Sequence, residues 1–526
     1  MQRPTWTRLD RVLVAALGLT ALLTRGLLRT PGLTSLDSGI LATGVVDYDF
    51  ASFRPHPPYY PLTVGLGKLA ALAVGPVQAL SWVSVLASAV LVLATYAVAR
   101  HFLGSTVSAG AAMLVLASPL ALSNGSAPLS YSLEGASSAV LALAALRARI
   151  RPSPLAWSLL GLAGSVAVGI RPSSLVLFAP LVLWGAGRSV RPHAWTAGSG
   201  AAASLMWGVP ALVAGGGWSE FAYGTALQTR TFILADPAWT GGWPSVQARL
   251  ATLAADVHAE GVFLLATLLI GLVTAGAWVT RPRRDGPSSA WLLAAWLLPG
   301  LAFYVLVYAG EPVNPDGYLM GLVPAAAIAC ALVLRGAWTA MGGPLVPKPL
   351  RVGGAFLIAG VCLLPAAWPA EWPDGLQAQR AGLAWGAQWT GMEAAFPPNE
   401  TALLTFYGAP WVELEHPAYL AWQVQPFVTR DLAWSYQVVE GHGLNLSKAY
   451  FPNIRDGPDP PHPFPAWVKR VIVLEGHPME GDVRIVRPSI LLHQARLPSG
   501  ALVQTFATTG LASIEDAVEW STAEAP

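Results

Sequence analysis

Long apolar runs separated by short polar stretches fill the chain from its start to about residue 370. Each run approaches the roughly twenty helical residues that cross the hydrocarbon core of a bilayer. Proline and glycine inside the runs are compatible with helices, because neighbouring helices satisfy the freed backbone groups. The pattern predicts about eleven transmembrane helices, at residues 11–29, 78–99, 106–122, 135–147, 155–169, 172–187, 195–214, 261–280, 290–309, 318–335 and 353–369.

The pattern changes after residue 369. Charged residues become denser, and short runs typical of β-strands appear at 402–406, 471–474 and 490–492. We therefore expect a transmembrane domain over residues 1–369, followed by a soluble mixed α/β domain over residues 370–526.

Composition supports a polytopic α-helical membrane protein. Apolar residues make up 54% of the chain and charged residues only 11%, whereas charged residues are about a quarter of an ordinary soluble protein. The formal net charge of +2 gives no sign of a nucleic-acid partner. The expected surroundings are membrane lipids.

The positions of Lys and Arg predict the orientation. If the N-terminus is cytoplasmic, fifteen of the twenty-two basic residues before residue 370 fall on the cytoplasmic side, with only two acids. An odd number of crossings then places loop 30–77, loop 215–260 and the C-terminal domain outside the cytoplasm. The first helix is expected to be an uncleaved anchor in the cytoplasmic membrane, because no small-residue cleavage site follows it. The apolar stretch 62–75 is expected to lie along the membrane surface.

The first outward loop concentrates ionisable residues in a chain that has few of them. It contains Asp37, Asp47, Asp49, Arg54 and His56, and the histidine is followed by two prolines. Ionisable residues at the membrane face are the first candidates for function in such a protein. We therefore expect the chemistry to involve this loop.

Five segments together carry a family resemblance. They are Asp37-Ser38-Gly39, His56-Pro57-Pro58-Tyr59-Tyr60-Pro61-Leu62, Tyr131-Ser132-Leu133-Glu134, Gly169-Ile170-Arg171-Pro172 and Gly317-Tyr318-Leu319-Met320-Gly321-Leu322-Val323-Pro324. In this order they resemble the motifs of GT-C superfamily glycosyltransferases, in particular the family 39-like protein O-mannosyltransferases and aminoarabinose transferases. The resemblance covers about residues 10–340 and implies a GT-C-like transmembrane fold.

The resemblance also implies a reaction. Enzymes of this kind move a sugar from a polyprenyl-phosphate donor to a lipid, glycan or protein acceptor outside the cytoplasm. Asp37 would accept the proton of the acceptor hydroxyl as general base. The substrate and its lipid phosphate would be bound by Arg54, His56, Glu134, Arg171 and Tyr318. A single displacement would invert the anomeric carbon.

A metal role is a separate expectation. Asp47 and Asp49 match a metal-binding pattern of other GT-C enzymes, the oligosaccharyltransferases, where two carboxylates hold a divalent ion. Family 39-like enzymes do not generally depend on metal. The resemblance therefore requires no cofactor and leaves Mg²⁺ or Mn²⁺ at these two residues open.

Other readings of the same residues remain open. Asp37 could also be a helix-cap or turn residue. Glu134 and Arg171 could form a structural ion pair, and Tyr318 could belong to the aromatic belt at the membrane interface. Ile40 stands where the family often has a second acid. The rival functions are a transporter or lipid flippase, and a non-catalytic scaffold that has kept the fold.

Overall fold

A computed structural model describes the protein in two compact units. The described residues are 5–34, 36–50, 54–229, 241–259, 289–308, 315–340, 396–406, 419–428, 434–441, 466–474, 482–485, 491–496, 502–507 and 518–521. The first unit comprises Met1–Thr30, Tyr60–Val213 and Gln228–Gln377, and the second comprises Pro31–Tyr59, Ala214–Leu227 and Ala378–Pro526.

Helices dominate the described part of the chain up to residue 340. They are α1 (Arg8–Leu28), α2 (Leu36–Val46), α3 (Pro61–Ala71), α4 (Pro76–Ala99), α5 (Ser105–Ala117), α6 (Pro119–Ser126), α7 (Tyr131–Ile150), α8 (Pro154–Ile170), α9 (Ser174–Ala186), α10 (Val190–Ala214), α11 (Trp218–Gln228), α12 (Gly242–Ala259), α13 (Ser289–Phe303) and α14 (Val323–Ala340). A π-helical segment, Tyr304–Tyr308, continues α13, and a 3₁₀ helix, Pro315–Leu319, precedes α14.

Several of these helices have the length and apolar character of membrane spans. Within the described residues four qualify, namely α1, α4, α10 and α13 with part of its π-helical end, and a fifth is formed if the bent pair α5 and α6 is counted as one span. The predicted spans at 261–280 and 353–369 lie outside the described residues. The number of about eleven therefore stays a prediction.

One predicted helix is broken in the structure. The sequence predicts a single helix over 106–122, but α5 ends at Ala117 and α6 continues at an angle of 60°. Pro119 has no backbone N–H, and Ser118 caps the new helix by accepting a hydrogen bond from Ala121 N. The buried Arg25 of α1 donates to the freed Leu116 carbonyl at 2.6 Å. A side chain from another helix thus satisfies the backbone at the break.

Loop 30–77 is more helical than the sequence predicts. It contains α2, which begins beside Asp37, and α3, which covers much of the apolar stretch 62–75. α2 is only 11 residues long, so its apolar run is too short to stand out by periodicity.

In the first unit, α4 packs against α1, α3, α5 and α7. The pairing of α1 with α4 includes the buried Asp10, which accepts hydrogen bonds from Tyr96 and from Arg100 Nε. α7, the helix that carries Glu134, packs on α4.

Eight strands occur among the described residues after 396. They are β1 (Thr401–Phe406), β2 (Leu420–Val428), β3 (Trp434–Gly441), β4 (Arg470–Leu474), β5 (Asp482–Ile485), β6 (Leu491–Arg496), β7 (Leu502–Ala507) and β8 (Val518–Ser521). A six-stranded sheet has the order β3-β2-β1-β4-β7-β6, in which β1 runs parallel to β2 and β4. Strands β1 and β4 contain the predicted runs 402–406 and 471–474, and β6 overlaps the run 490–492 at its first two residues. The domain boundary at 370 and the mixed α/β class stay predictions.

Candidate active site

Arg171 occupies the sharp turn at the end of α8. The helix stops because Pro172 disfavours the helical conformation of the preceding residue, and Arg171 is extended at φ −149° and ψ 111°. Thr63 of α3 donates to the Ile170 carbonyl at 3.1 Å, which ties α3 to the end of α8. The arginine of the Gly-Ile-Arg-Pro segment therefore lies at a fixed junction between α3 and α8.

Three tyrosines surround the Arg171 guanidinium, and we call them the tyrosine cage (Tyr60, Tyr131 and Tyr318). The guanidinium carbon lies 4.5 Å from the centre of the Tyr131 ring, 4.3 Å from that of Tyr318 and 5.8 Å from that of Tyr60. A cation over an aromatic face gains about 0.5–2 kcal/mol per ring, with more at desolvated sites. The cage therefore favours a planar, charged side chain at this position.

The carboxylate partner of Arg171 is Glu134, in the first turn of α7. Arg171 Nη1 lies 3.4 Å from Glu134 Oε2, and the side chains are 3% and 0% exposed. Neither carboxylate oxygen of Glu134 accepts a hydrogen bond of good geometry from the described residues. A buried ion pair needs such hydrogen bonds to offset desolvation. The Glu134 carboxylate is therefore fully buried with fewer hydrogen bonds than a buried ion pair needs.

The glycines of the Gly317–Pro324 segment explain why Tyr318 reaches the arginine. A Cβ atom on Gly317 would lie 2.6 Å from the Tyr131 ring, so only glycine permits this approach. The Gly321 carbonyl accepts hydrogen bonds from Ser138 at 2.8 Å and from Trp296 at 3.0 Å. These contacts hold the segment against α7 and α13.

Three of the predicted site residues thus meet in the first unit: Glu134, Arg171 and Tyr318. The sequence did not single out Tyr60 or Tyr131 as site residues. Tyr131 lies three positions before Glu134 on α7, a spacing that puts two side chains on one helix face. That spacing was the available signal for Tyr131, whereas Tyr60 stands in the His-Pro-Pro segment of the resemblance, where nothing local points to Arg171.

The other predicted site residues lie in the second unit: Asp37, Asp47, Asp49, Arg54 and His56. Asp37 is half-buried in the first turn of α2, where the helix dipole stabilises a carboxylate. Ser38 accepts a hydrogen bond from Thr34 N at 2.9 Å and fixes the start of the helix. Both the catalytic and the capping reading of Asp37 are compatible with this position, so its role stays a prediction.

Asp49 and Arg54 form an isolated antiparallel bridge, and Asp47 lies beside it. Asp49 and Arg54 exchange two backbone hydrogen bonds, at 2.9 and 3.0 Å, and Arg54 Nη1 lies 3.1 Å from Asp47 Oδ2. Asp47 is thus paired with a cation, and no group of three or more His, Cys, Asp or Glu suited to a metal occurs among the described residues. Asp47 therefore already has a cationic partner, and the metal role of Asp47 and Asp49 stays a prediction.

The His-Pro-Pro segment packs against α2. A Cβ atom on Gly44 of α2 would lie 2.6 Å from Pro55, so this glycine permits the close approach. The His56 carbonyl accepts a hydrogen bond from Tyr59 N at 2.9 Å and closes a tight turn. The roles of Arg54 and His56 toward a lipid phosphate stay predictions.

An aromatic cluster joins this loop to α11 within the second unit. The Tyr59 ring centre lies 4.2 Å from that of Phe50 and 5.6 Å from that of Phe221. Burial raises the pKa of the Tyr59 phenol, and the Glu220 and Asp49 carboxylates raise it further. The phenol therefore stays neutral and donates to the Glu220 carbonyl at 3.4 Å.

We expect Gly224→Ala to destabilise the second unit. A Cβ atom at Gly224 would overlap the Tyr59 hydroxyl, and Tyr59 is fully buried and cannot move aside. Overpacking costs about 1–3 kcal/mol, which exceeds the gain in helix propensity of up to about 1 kcal/mol. The measurement is the thermal unfolding midpoint of the purified protein in detergent.

Gly208→Ala is the matched control, because a Cβ atom there meets open space. Its midpoint should stay level or rise. An unfolding midpoint for Gly224→Ala equal to that of Gly208→Ala would show that α11 does not clamp Tyr59.

Comparison with solved structures shows the fold. The chain is similar to ArnT from Cupriavidus metallidurans in the apo state, with a TM-score of 0.53 and 14% identity over 94% of this chain and 97% of that chain. ArnT is a GT-C superfamily membrane glycosyltransferase, so the GT-C resemblance seen in the sequence is confirmed at the level of the fold.

Two further matches are to the oligosaccharyltransferase AglB of Archaeoglobus fulgidus, another GT-C enzyme. One is its complex with Zn and sulfate, with a TM-score of 0.49 and 15% identity over 78% of this chain and 62% of that chain. The other is its complex with an inhibitory peptide and a dolichol-phosphate, with a TM-score of 0.44 and 12% identity over 78% and 64%. The chain thus spans less than two thirds of the archaeal enzyme. No family model and no curated protein sequence matches it.

Proposed function

We propose that this protein is a membrane glycosyltransferase that uses a polyprenyl-phosphate sugar on the outer face of the cytoplasmic membrane. The acceptor hydroxyl oxygen attacks the anomeric carbon and forms the new glycosidic bond. The bond between that carbon and the phosphate oxygen breaks, and polyprenyl phosphate leaves with the electron pair. Asp37 takes the hydroxyl proton.

One observation carries this proposal. Glu134, Arg171 and Tyr318 come from three separate motifs of the GT-C resemblance, yet they are in contact around one guanidinium. A fold alone does not define a function, but a site built from the motif residues reduces the number of functions that the fold could have. This convergence favours a glycosyltransferase over a transporter that merely shares the helical architecture.

Arg171 is the proposed partner of the leaving phosphate. A planar guanidinium presents several N–H donors that match phosphate oxygens. Its distance of 3.4 Å from Glu134 is longer than the about 2.7–2.9 Å of a strong charge-assisted hydrogen bond. An incoming phosphate therefore competes with Glu134 for the guanidinium, and Glu134 binds it only weakly. The tyrosine cage keeps the plane of the guanidinium in place.

Asp37 is the proposed base, supported by its position in the first turn of α2 and its half-buried side chain. A lone acceptor hydroxyl is a weak nucleophile, so removal of its proton in the transition state is needed for a useful rate. With one carboxylate acting directly on the acceptor, a single displacement with inversion follows.

The class of donor is the first test. Membranes containing the protein would be supplied with a radiolabelled sugar on polyprenyl phosphate, on polyprenyl diphosphate or on a nucleotide. We expect labelled acceptor only with the polyprenyl phosphate, because the proposed site stabilises a single leaving phosphate. Membranes lacking the protein are the control, and labelling from the nucleotide sugar would overturn the proposal.

A further inference from the structure

Five arginines crowd one end of the first unit, and we call this region the arginine-rich end. It is formed by the C-terminal ends of α7 and α9 and the N-terminal ends of α8 and α10. The arginines, all exposed, are Arg147, Arg149, Arg151, Arg188 and Arg191. No Asp or Glu occurs between Glu134 and Glu220 in the sequence. The positive charge of this end is therefore not balanced by acids of the same helices.

Helices α8 and α10 run parallel and side by side. Thr196 Oγ1 donates to the Trp157 carbonyl at 3.2 Å near the start of the pair, and Ser165 Oγ lies 2.9 Å from Ser204 Oγ further along. Gly161 permits the closest approach, because a Cβ atom there would overlap the Thr196 carbonyl. The N-terminal ends of both helices thus lie at the arginine-rich end.

A groove opens between these two ends. Its cavity of about 350 Å³ is lined by Ser158, Arg191, Ala194, Trp195, Gly198 and Ser199, and we call it the α8–α10 groove. Arg191 and Trp195 are four residues apart and share one face of α10. Gly198 leaves open space where a side chain would stand. The groove therefore combines a cation, an indole ring and an apolar floor.

This combination matches a lipid headgroup. Arginine binds phosphate through paired N–H donors, and tryptophan prefers the boundary between headgroups and acyl chains. Basic pockets between transmembrane helices bind anionic lipids by this chemistry. Only 6% of the most apolar stretch of α10 is buried, so the face of the helix turned away from α8 is open to lipid.

We infer that the α8–α10 groove binds the headgroup of one anionic phospholipid. The phosphate lies on Arg191, and the glycerol and first acyl carbons pack against Trp195 and the open surface at Gly198. The surrounding arginines select a net negative headgroup over a zwitterionic one. In the orientation predicted from the sequence, this is a lipid of the cytoplasmic leaflet. The inference is independent of sugar transfer.

The test is native mass spectrometry of the delipidated full-length protein. Dioleoylphosphatidylglycerol or dioleoylphosphatidylcholine is added at equal concentration, and the affinity of the first bound lipid is measured. We expect tighter binding of phosphatidylglycerol, weakened about fivefold by Arg191→Ala, which corresponds to about 1 kcal/mol per arginine near a charged surface. Arg188→Ala removes the same charge outside the groove and should weaken binding less than Arg191→Ala does, because only Arg191 donates directly to the phosphate.

A second pair of variants tests the groove itself. Gly198→Leu fills it without changing charge and should weaken phosphatidylglycerol binding, whereas Gly208→Leu on the same helix should not. If Gly198→Leu does not fold, the comparison of Arg191→Ala with Arg188→Ala tests the inference by itself. Equal losses for Arg191→Ala and Arg188→Ala, or equal affinity for both lipids, would overturn the inference. Displacement of the lipid by an equal concentration of inorganic phosphate would assign the groove to phosphate and would overturn it as well.

Discussion

Replacement of Asp37 by Asn is expected to lower the rate of sugar transfer by about 10²- to 10⁴-fold, the usual contribution of a general base. Asparagine has nearly the same shape as aspartate but cannot accept the proton of the acceptor hydroxyl. The expected loss is in turnover rather than in donor affinity. The measurement is the initial rate at saturating polyprenyl-phosphate sugar, with the unfolding midpoint measured in parallel.

Glu400→Gln is the matched control for this carboxylate-to-amide change. Glu400 belongs to the strand-containing part of the second unit, where its carboxylate lies 2.8 Å from Lys469 Nζ. Exposed ion pairs contribute about 0–1 kcal/mol, so this variant should transfer sugar at nearly the wild-type rate. A near wild-type rate for folded Asp37→Asn would leave Asp37 as a cap residue and remove it from the mechanism.

The second large effect concerns the Arg171–Glu134 pair. Arg171→Gln leaves a buried carboxylate without its cation and should destabilise the protein by about 3–5 kcal/mol. It also removes the proposed phosphate ligand, so transfer should fall together with stability. Thermal unfolding in detergent and the donor dependence of the rate are the two measurements, and the exposed Arg188→Gln is the control.

A double variant separates the structural role of the pair from its proposed role in the reaction. Glu134→Gln combined with Arg171→Gln leaves two neutral amides, so much of the lost stability should return. Transfer should remain low, because no cation faces the leaving phosphate. Recovery of both stability and transfer would show that the pair is only structural.

Hydropathy predicted much of the helical architecture, because a membrane span leaves a long apolar run in the sequence. α4, α8 and α9 begin and end within two residues of the predicted bounds. The break at Ser118 escaped prediction, since apolar residues continue on both sides of it. Its stability depends on Arg25, a distant residue whose contact no local pattern encodes.

The sequence predicted those residues of the candidate site that belong to the motifs of the family resemblance. The resemblance named Glu134, Arg171 and Tyr318, and the structure places them in contact. Tyr60 was missed because its approach to Arg171 depends on how α3 packs against the end of α8. The sequence did not predict the close contact between Gly224 and Tyr59 either, because these residues are far apart in the chain.

The most direct test of the account is a single-turnover experiment on the purified protein in liposomes that contain a doubly labelled polyprenyl-phosphate sugar, with an extract of the membranes from which the protein was purified as the source of acceptor. One label follows the sugar and the other follows the lipid. We predict one free polyprenyl phosphate for each sugar transferred, and no release above background for Asp37→Asn. Movement of the lipid across the bilayer with its sugar still attached, without cleavage, would contradict the account and identify the protein as a flippase.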